Sequence, residues 1–214
     1  SSCGAIVDNA GALCVDCWPK FTFFGLPMCA LCGYPFPHAV SPCAICAACR
    51  KRRPAFDAAR AALFYDDASR EIIWRFKHAD RTRYANAFGA RIIRAGAELV
   101  PLVDVVVPVP LYPRRLIGRR YNQSLLLARA VARLGRLLVI PDALRRNRNT
   151  PSQGNLSRGA RYWNVQGAFS LRGPAETGGK SILLIDDVYI TGASVDACTR
   201  FLKKGCATRD YVLT

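Results

Sequence analysis

Eight of the ten cysteines in this 214-residue chain fall within its first 49 residues. That imbalance divides the sequence into two parts that must be stabilised by different means. The eight are Cys3, Cys14, Cys17, Cys29, Cys32, Cys43, Cys46 and Cys49. Three C-x-x-C pairs stand out among them, Cys14/Cys17, Cys29/Cys32 and Cys46/Cys49. Each pair places two thiolates on one tight turn, as tetrahedral zinc requires. Disulfides compete for the same residues but belong to oxidising compartments, and the rest of the chain reads as an intracellular, nucleotide-type fold. One or two structural zinc ions are therefore expected, and so short a segment needs them as its main staple.

Two ribbons follow from the spacing. The first takes Cys3, Cys14 and Cys17, with a fourth cysteine expected immediately before Ser1. The second takes Cys29, Cys32, Cys46 and Cys49, with Cys43 standing as an alternative to Cys46. The chain starts without methionine and ends in a strand-like stretch at 211–214, so both ends are expected to be trimmed, and a targeting segment ahead of Ser1 stays open. Basic residues and Pro54 mark the boundary, giving a ribbon over 1–52 and a second domain over 53–214.

That second domain is organised around residues 182–194. Ile182, Leu183, Leu184 and Ile185 read as a strand buried on both faces of a parallel sheet. Asp186 and Asp187 follow at its carboxyl end, where open α/β sheets bind ligands. Thr191, Gly192, Ala193 and Ser194 then form a small polar turn into a helix over 195–204, and amides at a helix N-terminus are free to hold an anion. Two carboxylates beside an anion cradle suit a ligand carrying a diol and a phosphate, such as a ribose 5-phosphate. Upstream, Gly173, Gly178, Lys180 and Ser181 imitate a P-loop, but Gly179 breaks the spacing and a strand follows instead of a helix, so that reading is rejected.

The remaining elements are read from periodicity. A strand is expected over 56–65, helices over 69–78 and 83–98, and a buried strand over 102–109 that should lie beside the Asp186 strand. A basic loop over 112–120 leads to a helix over 121–134 with Leu125, Ala128, Val131 and Leu134 on its seam. Residues 145–164 are polar and arginine-rich, too long for a mere connector, and read as a functional loop; a strand resumes over 168–171. Cys198 and Cys206 read as small buried residues. No apolar run reaches 18 residues, so no membrane span is expected.

The net charge is +16, and only six of the 31 basic residues are lysine, leaving 25 arginines. Arginine's planar fork suits phosphate and nucleic-acid backbones. Runs at 50–53, 114–115, 119–120 and 145–146 lack balancing acids and favour a polyanionic partner. Tyr121, Tyr162 and Trp163 are candidate base-stacking faces.

The stretch 182–194 resembles the signature through which phosphoribosyltransferases bind phosphoribosyl pyrophosphate (PRPP), with Ile190 standing where that family usually has threonine. The whole chain resembles the ComF family of competence-associated proteins. The resemblance rests on the Cys46/Cys49 knuckle followed by Arg53, Pro54, Ala55, Phe56 and Asp57; on Phe76 and Lys77; and on Val107, Pro108, Val109 and Pro110. It continues in Arg119 to Gln123, where Arg120 and Tyr121 replace the usual glycine and phenylalanine, in Arg148, Thr150, Gln153, Leu156, Ser157, Arg161 and Asn164, and in Asp186 and Asp187.

This resemblance implies a phosphoribosyltransferase-like parallel sheet flanked by helices, behind an N-terminal cysteine-rich zinc ribbon. It implies binding of PRPP or a related ribose phosphate with magnesium, and a cytoplasmic role in handling transforming single-stranded DNA, with other competence proteins such as a DNA translocase as partners. Asp186 and Asp187 would hold the ribose hydroxyls, and Thr191, Gly192, Ala193 and Ser194 the 5-phosphate, with Val188, Tyr189 and Ile190 completing the loop. Lys77 and Val109 would face the pyrophosphate. Arg119, Arg148 and Arg161 are the candidates for stabilising it as it departs. No acceptor base is identified, so a non-catalytic nucleic-acid module that senses a ribose phosphate is the alternative.

Overall fold

The computed structural model describes residues 14–78, 84–151 and 156–214. Cys3 and the cysteine expected before Ser1 lie outside them. After a 3-10 turn at Trp18–Lys20, the helices are α1 (Ala47–Lys51), α2 (Asp67–His78), α3 (Tyr84–Ala95), α4 (Pro113–Arg119), α5 (Gln123–Gly135), α6 (Arg158–Val165), α7 (Pro174–Thr177) and α8 (Ala193–Lys204). The strands are β1 (Ala58–Arg60), β2 (Val105–Pro108), β3 (Leu138–Val139), β4 (Leu144–Arg146), β5 (Phe169–Leu171), β6 (Ser181–Ile185) and β7 (Arg209–Leu213). Five of them form a sheet in the order β1-β7-β6-β2-β3, with every pair parallel. β4 and β5 pair separately and antiparallel.

Alternation of side chains along the central strands supplies two cores. Val105, Val107, Ile182, Leu184 and Val212 meet Val195, Cys198 and Leu202 of α8 on one face. Val106, Leu183, Ile185, Tyr211 and Leu213 meet Ile92 of α3 and Leu127, Ala128 and Val131 of α5 on the other. Helices thus cover both faces, which is why β6 reads as an unbroken apolar run. β2 does lie beside β6, with Pro108 opposite Ile185, so the ends of both strands open on one place.

Several local expectations differ from what is observed. The strand expected over 56–65 is only the three residues of β1, because beyond Arg60 the chain turns away to meet the ribbon: Phe64 donates its amide to the Thr22 carbonyl at 2.9 Å. The basic loop over 112–120 is mostly α4, started by Pro113 at its first position, where a missing N–H costs nothing. The polar stretch 145–164 contains β4 and α6, the latter capped by the Ser157 hydroxyl, which accepts from the Ala160 amide. Cys198 is fully buried, but Cys206 is exposed, since the turn after α8 faces solvent. One buried group in the sheet is polar. Asp210 of β7 is fully buried with neither carboxylate oxygen hydrogen-bonded, and burial pushes its carboxyl up to about 7, against the opposing pull of Lys203.

The ribbon is built from turns. The Gly33 amide donates to the Cys29 carbonyl and the Cys29 amide to the Tyr34 carbonyl, at 2.9 and 2.8 Å. Gly33 has φ +70, and a Cβ there would lie 2.6 Å from the Ala59 carbonyl oxygen. Only glycine allows both the turn and the seating of the ribbon on β1, where the Ala59 amide donates to the Leu31 carbonyl at 2.6 Å.

Candidate functional site

The carboxyl end of β6, the end of β2, the tip of α2 and the N-termini of α5 and α8 enclose a cavity of about 240 Å³. Lys77, Val109, Arg119, Arg161, Asp186, Asp187, Val188, Tyr189, Ile190, Thr191, Gly192, Ala193 and Ser194, all anticipated from sequence, line it. Arg148 lies elsewhere. It is exposed and donates to the Asn164 carbonyl at 3.2 Å.

Each acid is held differently. Asp186 is buried, and its Oδ1 accepts from the Ser124 hydroxyl at 3.1 Å and the Asp187 amide at 2.9 Å. Burial first, and then the neighbouring Asp187 charge, push its carboxyl up to about 7, although the Asp187 amide, Lys77 and Ser124 all pull the other way. The pair is therefore short of positive charge. Among the described residues the Lys77 ammonium pairs with Asp187, 2.8 Å from Oδ2. The Gln123 side chain donates to the Lys77 carbonyl at 3.2 Å, so α5 steadies the end of α2 as well as supplying Ser124.

Opposite the acids lies an arginine cluster. Arg115, Arg119, Arg146 and Arg161 all line the cavity. Arg115 and Arg146 converge on Thr150, the first donating to its carbonyl and the second to its hydroxyl. Arg146 is buried and its Nε has no partner. Burial and the charge of Arg115 depress its pKa from the ordinary arginine value. Among the described residues no carboxylate forms an ion pair with Arg115, Arg119 or Arg146. For Arg146, the one of the three that is buried, a cation without a paired acid is costly unless an anion joins it. Arg115, Arg146 and Ser124 were not singled out from sequence. The only signal for the two arginines was membership of basic runs, and Ser124 carried none, because the three come from separate elements, α4, β4 and α5.

The turn before α8 completes the site. Gly192 at φ 74 is the N-cap, and the Asp196 amide donates to its carbonyl at 2.8 Å. The Ala193 amide donates to the Thr191 hydroxyl at 3.4 Å, and Ala193, Ser194 and Val195 line the cavity, which places the positive end of α8 against it.

A second cleft, of about 590 Å³, adjoins the first at Pro110, Leu111 and Arg146. Arg120, Arg129, Arg145 and Arg172 line it, with Tyr121. Of the three aromatics considered for stacking, Trp163 is 74% exposed. Tyr121 packs inward, its hydroxyl on the Phe76 carbonyl at 2.7 Å, and the Tyr162 ring is covered by the Arg52 guanidinium at 3.6 Å.

In the ribbon the sulfurs of Cys29, Cys32, Cys46 and Cys49 all lie within 4.8 Å of one another. The Cys32 and Cys46 sulfurs are 3.7 Å apart, which matches the edge of about 3.8 Å expected for a tetrahedron with metal–sulfur distances of about 2.3 Å. Four thiols in that arrangement fit zinc, and Cys46 takes the place for which Cys43 was the alternative; Cys43 is exposed. Burial acts to raise the Cys29 thiol, but the amides of Cys46, Cys32 and Leu31 outweigh it and bring the pKa down to about 7. Burial pushes Cys49 up to about 12. Cys14 and Cys17 sit on one tight turn, the Cys17 amide donating to the Cys14 carbonyl at 3.1 Å.

A family model described as a double zinc ribbon domain matches residues 1–50. Competence protein ComFC of Bacillus subtilis is 30% identical over 201 residues, covering 91% of this chain and 80% of that protein. Competence protein F of Haemophilus influenzae is 28% identical over 198 residues, covering 90% and 84%. DNA utilization protein YhgH of Shigella flexneri is 28% identical over 187 residues, covering 85% and 80%. Among solved structures, a glutamine PRPP amidotransferase from B. subtilis, complexed with ADP and GMP, aligns with a TM-score of 0.41 at 20% identity, over 65% of this chain and 30% of that one. No described helix is long and apolar enough to cross a membrane.

Proposed function

The chain belongs to the ComF family, and from that footing we propose that it binds PRPP or a related ribose phosphate and serves in the handling of single-stranded DNA during competence. The observation that carries the first part is one cavity lined together by Asp186 and Asp187, by the 191–194 turn and by Arg115, Arg119 and Arg146, with which no carboxylate among the described residues forms an ion pair. The carboxylates suit ribose hydroxyls, the amides of the turn a 5-phosphate, and Arg115, Arg119 and Arg146 a pyrophosphate.

Phosphoribosyl transfer asks little covalent chemistry of the protein. Positive charge builds on the ribose ring as the bond to pyrophosphate breaks, and fixed cations stabilise the departing anion. Arg119 and Arg161 stand where they can do so, and Arg115 and Arg146 join them. Lys77 pairs with Asp187 at 2.8 Å. The carboxylate oxygens of Asp186 and Asp187, with too little positive charge between them, would be the donors for a hard divalent cation. Magnesium held there would neutralise the leaving pyrophosphate.

The second cleft supports the DNA part of the reading. Its arginine wall supplies the charge of a single-strand track, and Trp163, which does not line it, is an exposed stacking face elsewhere on the surface. The name of the B. subtilis relative, a competence protein, agrees with it.

Calorimetric titration of PRPP with magnesium into the wild type and the Asp186→Asn/Asp187→Asn variant tests the pocket, with and without a short oligonucleotide. Saturable binding that is lost in the variant is the expected result. Release of pyrophosphate would identify an enzyme. DNA binding without any PRPP binding would leave a nucleic-acid module and overturn the transferase-like reading.

A further inference from the structure

The 191–194 turn is braced by groups of which only Tyr189 lines the cavity, and they lead toward the ribbon by three routes. In the first, the Tyr162 hydroxyl donates to the Thr191 carbonyl at 2.9 Å, and the Arg52 guanidinium lies over the Tyr162 ring at 3.6 Å. Arg52 is the C-cap of α1, the helix whose N-cap is Cys46 and which contains Cys49. Two of the four clustered thiols are thus on the element that ends in Arg52.

In the second route, the Ala55 amide just beyond the ribbon donates to Asp196 Oδ1 at 2.6 Å. Asp196 is buried in the first turn of α8, and its own amide holds the Gly192 carbonyl at 2.8 Å. In the third, Tyr189 packs edge-on to Phe56, with ring centroids 6.3 Å apart, while its hydroxyl lies so close to Gly192 that a Cβ there would approach to 2.7 Å. Burial, reinforced by the nearby Cys32 thiol, raises the Tyr189 hydroxyl above the ordinary phenol value, so it remains a neutral packing group.

A cradle of backbone amides binds an anion tightly only if its shape is held before the anion arrives, because ordering a loose turn costs affinity. Short loops of small residues such as Thr191, Gly192, Ala193 and Ser194 cannot hold themselves. We propose that the metal-loaded Cys29/Cys32/Cys46/Cys49 ribbon is the backing that fixes this turn in its anion-receiving shape, with Tyr162 as the positioning residue that joins the two. This rests on the turn being an anion cradle, as argued above. Ligand binding in the cavity then depends on a metal that no ligand atom touches.

The test uses the full chain with zinc bound and follows amide exchange by mass spectrometry in the segment 191–198. Tyr162→Phe removes one hydroxyl, and Arg52→Ala removes the stacked cation while leaving every thiol. Each is expected to speed exchange in 191–198 about fivefold, the equivalent of one hydrogen bond of about 1 kcal/mol. Exchange in 182–185 and the zinc content should stay unchanged. Chelation of the wild type with EDTA should reproduce the acceleration and add less to Tyr162→Phe than to the wild type, since one of the three routes is already cut. Unchanged exchange in 191–198 in both variants would overturn the proposal. So would chelation that frees 29–49 and leaves 191–198 as it was. Should chelation loosen 182–185 as well, Arg52→Ala, which keeps its metal, decides. In parallel, the PRPP dissociation constant should rise about fivefold in Tyr162→Phe by the same hydrogen-bond estimate. A wild type that does not bind PRPP removes the functional reading but leaves the exchange comparison to judge the backing.

Discussion

The ribbon and the sheet solve the same problem with opposite resources. In the sheet, Val106, Ile182, Leu183, Leu184 and Leu213 have no exposed surface, and two helix-covered cores hold the strands. In the ribbon one cluster is Cys29, Leu31 and Cys49, and the other, Cys17 and Phe21, borrows Ile72 from α2. Its one α-helix among the described residues is five residues long. An isolated helix of that length is unstable in water, and three of the five buried ribbon residues named here are themselves cysteines. Apolar burial holds the sheet; metal must hold the ribbon. What this teaches is that the site lies where the two kinds of stability meet, on a turn that neither region orders alone.

The largest expected effect comes from removing a thiolate. Cys46→Ser should lower the zinc content by one ion per chain and forfeit metal-linked folding energy on the order of 10 kcal/mol. Limited proteolysis should then cut within 14–51 while far-ultraviolet dichroism of the sheet persists. Loss of the whole fold would mean that the sheet also depends on the metal.

Leu184→Ala strikes the other resource. With its side chain in the core against α8, truncation should cost about 3–5 kcal/mol in urea unfolding and leave the zinc content intact. A variant that lost its metal as readily as its midpoint would erase the distinction.

The pH response separates the regions further. Asp186 and Asp210 are both raised from 3.8 to about 7. Between those values these two acids bind more protons in the folded chain than in the unfolded one, so their contribution to stability is fully present below about pH 4 and is lost as pH rises through about 7. Zinc thiolates require deprotonation, so the ribbon should firm over the upper part of that range. Urea midpoints of the sheet at pH 5 and 7.5, set beside zinc retention, check this. Asp186→Asn should flatten the decline and stabilise the ligand-free protein near pH 7.5 while abolishing PRPP binding. A steeper decline in that variant would show the acid to be stabilising after all.

The smallest effect is expected at Cys43. It is exposed and outside the thiol cluster, so Cys43→Ser should change stability by less than about 0.5 kcal/mol and leave zinc content unchanged. A fall in zinc content would move the ligand set from Cys46 to Cys43.

Residues that act through neighbours in the chain were legible in advance. The C-x-x-C knuckles and the run from Ile182 to Ser194 carry their geometry within a few positions, as a turn or as a strand leading into a helix. The parallel sheet and the place where Asp186 meets β2 followed from such local patterns. Short elements were harder: β1 and α4 were misjudged in length or kind, because a few residues of periodicity weigh little against tertiary contacts.

By itself, then, the sequence determined that a thiol-rich segment would need metal and that a buried strand would deliver two acids and a small polar turn to one end of a sheet. Tertiary structure alone decided which of 25 arginines reach the cavity. Arg115, Ser124, Arg146 and Asp186 come from four elements and meet only because α4, α5, β4 and β6 pack together. Arg148, in the irregular segment after β4, turned to the Asn164 carbonyl instead. It also chose Cys46 over Cys43 and set Tyr162 between Arg52 and Thr191. Spacing along a chain fixes direction only across a turn or two of regular structure, whereas convergence from distant elements depends on how whole faces pack.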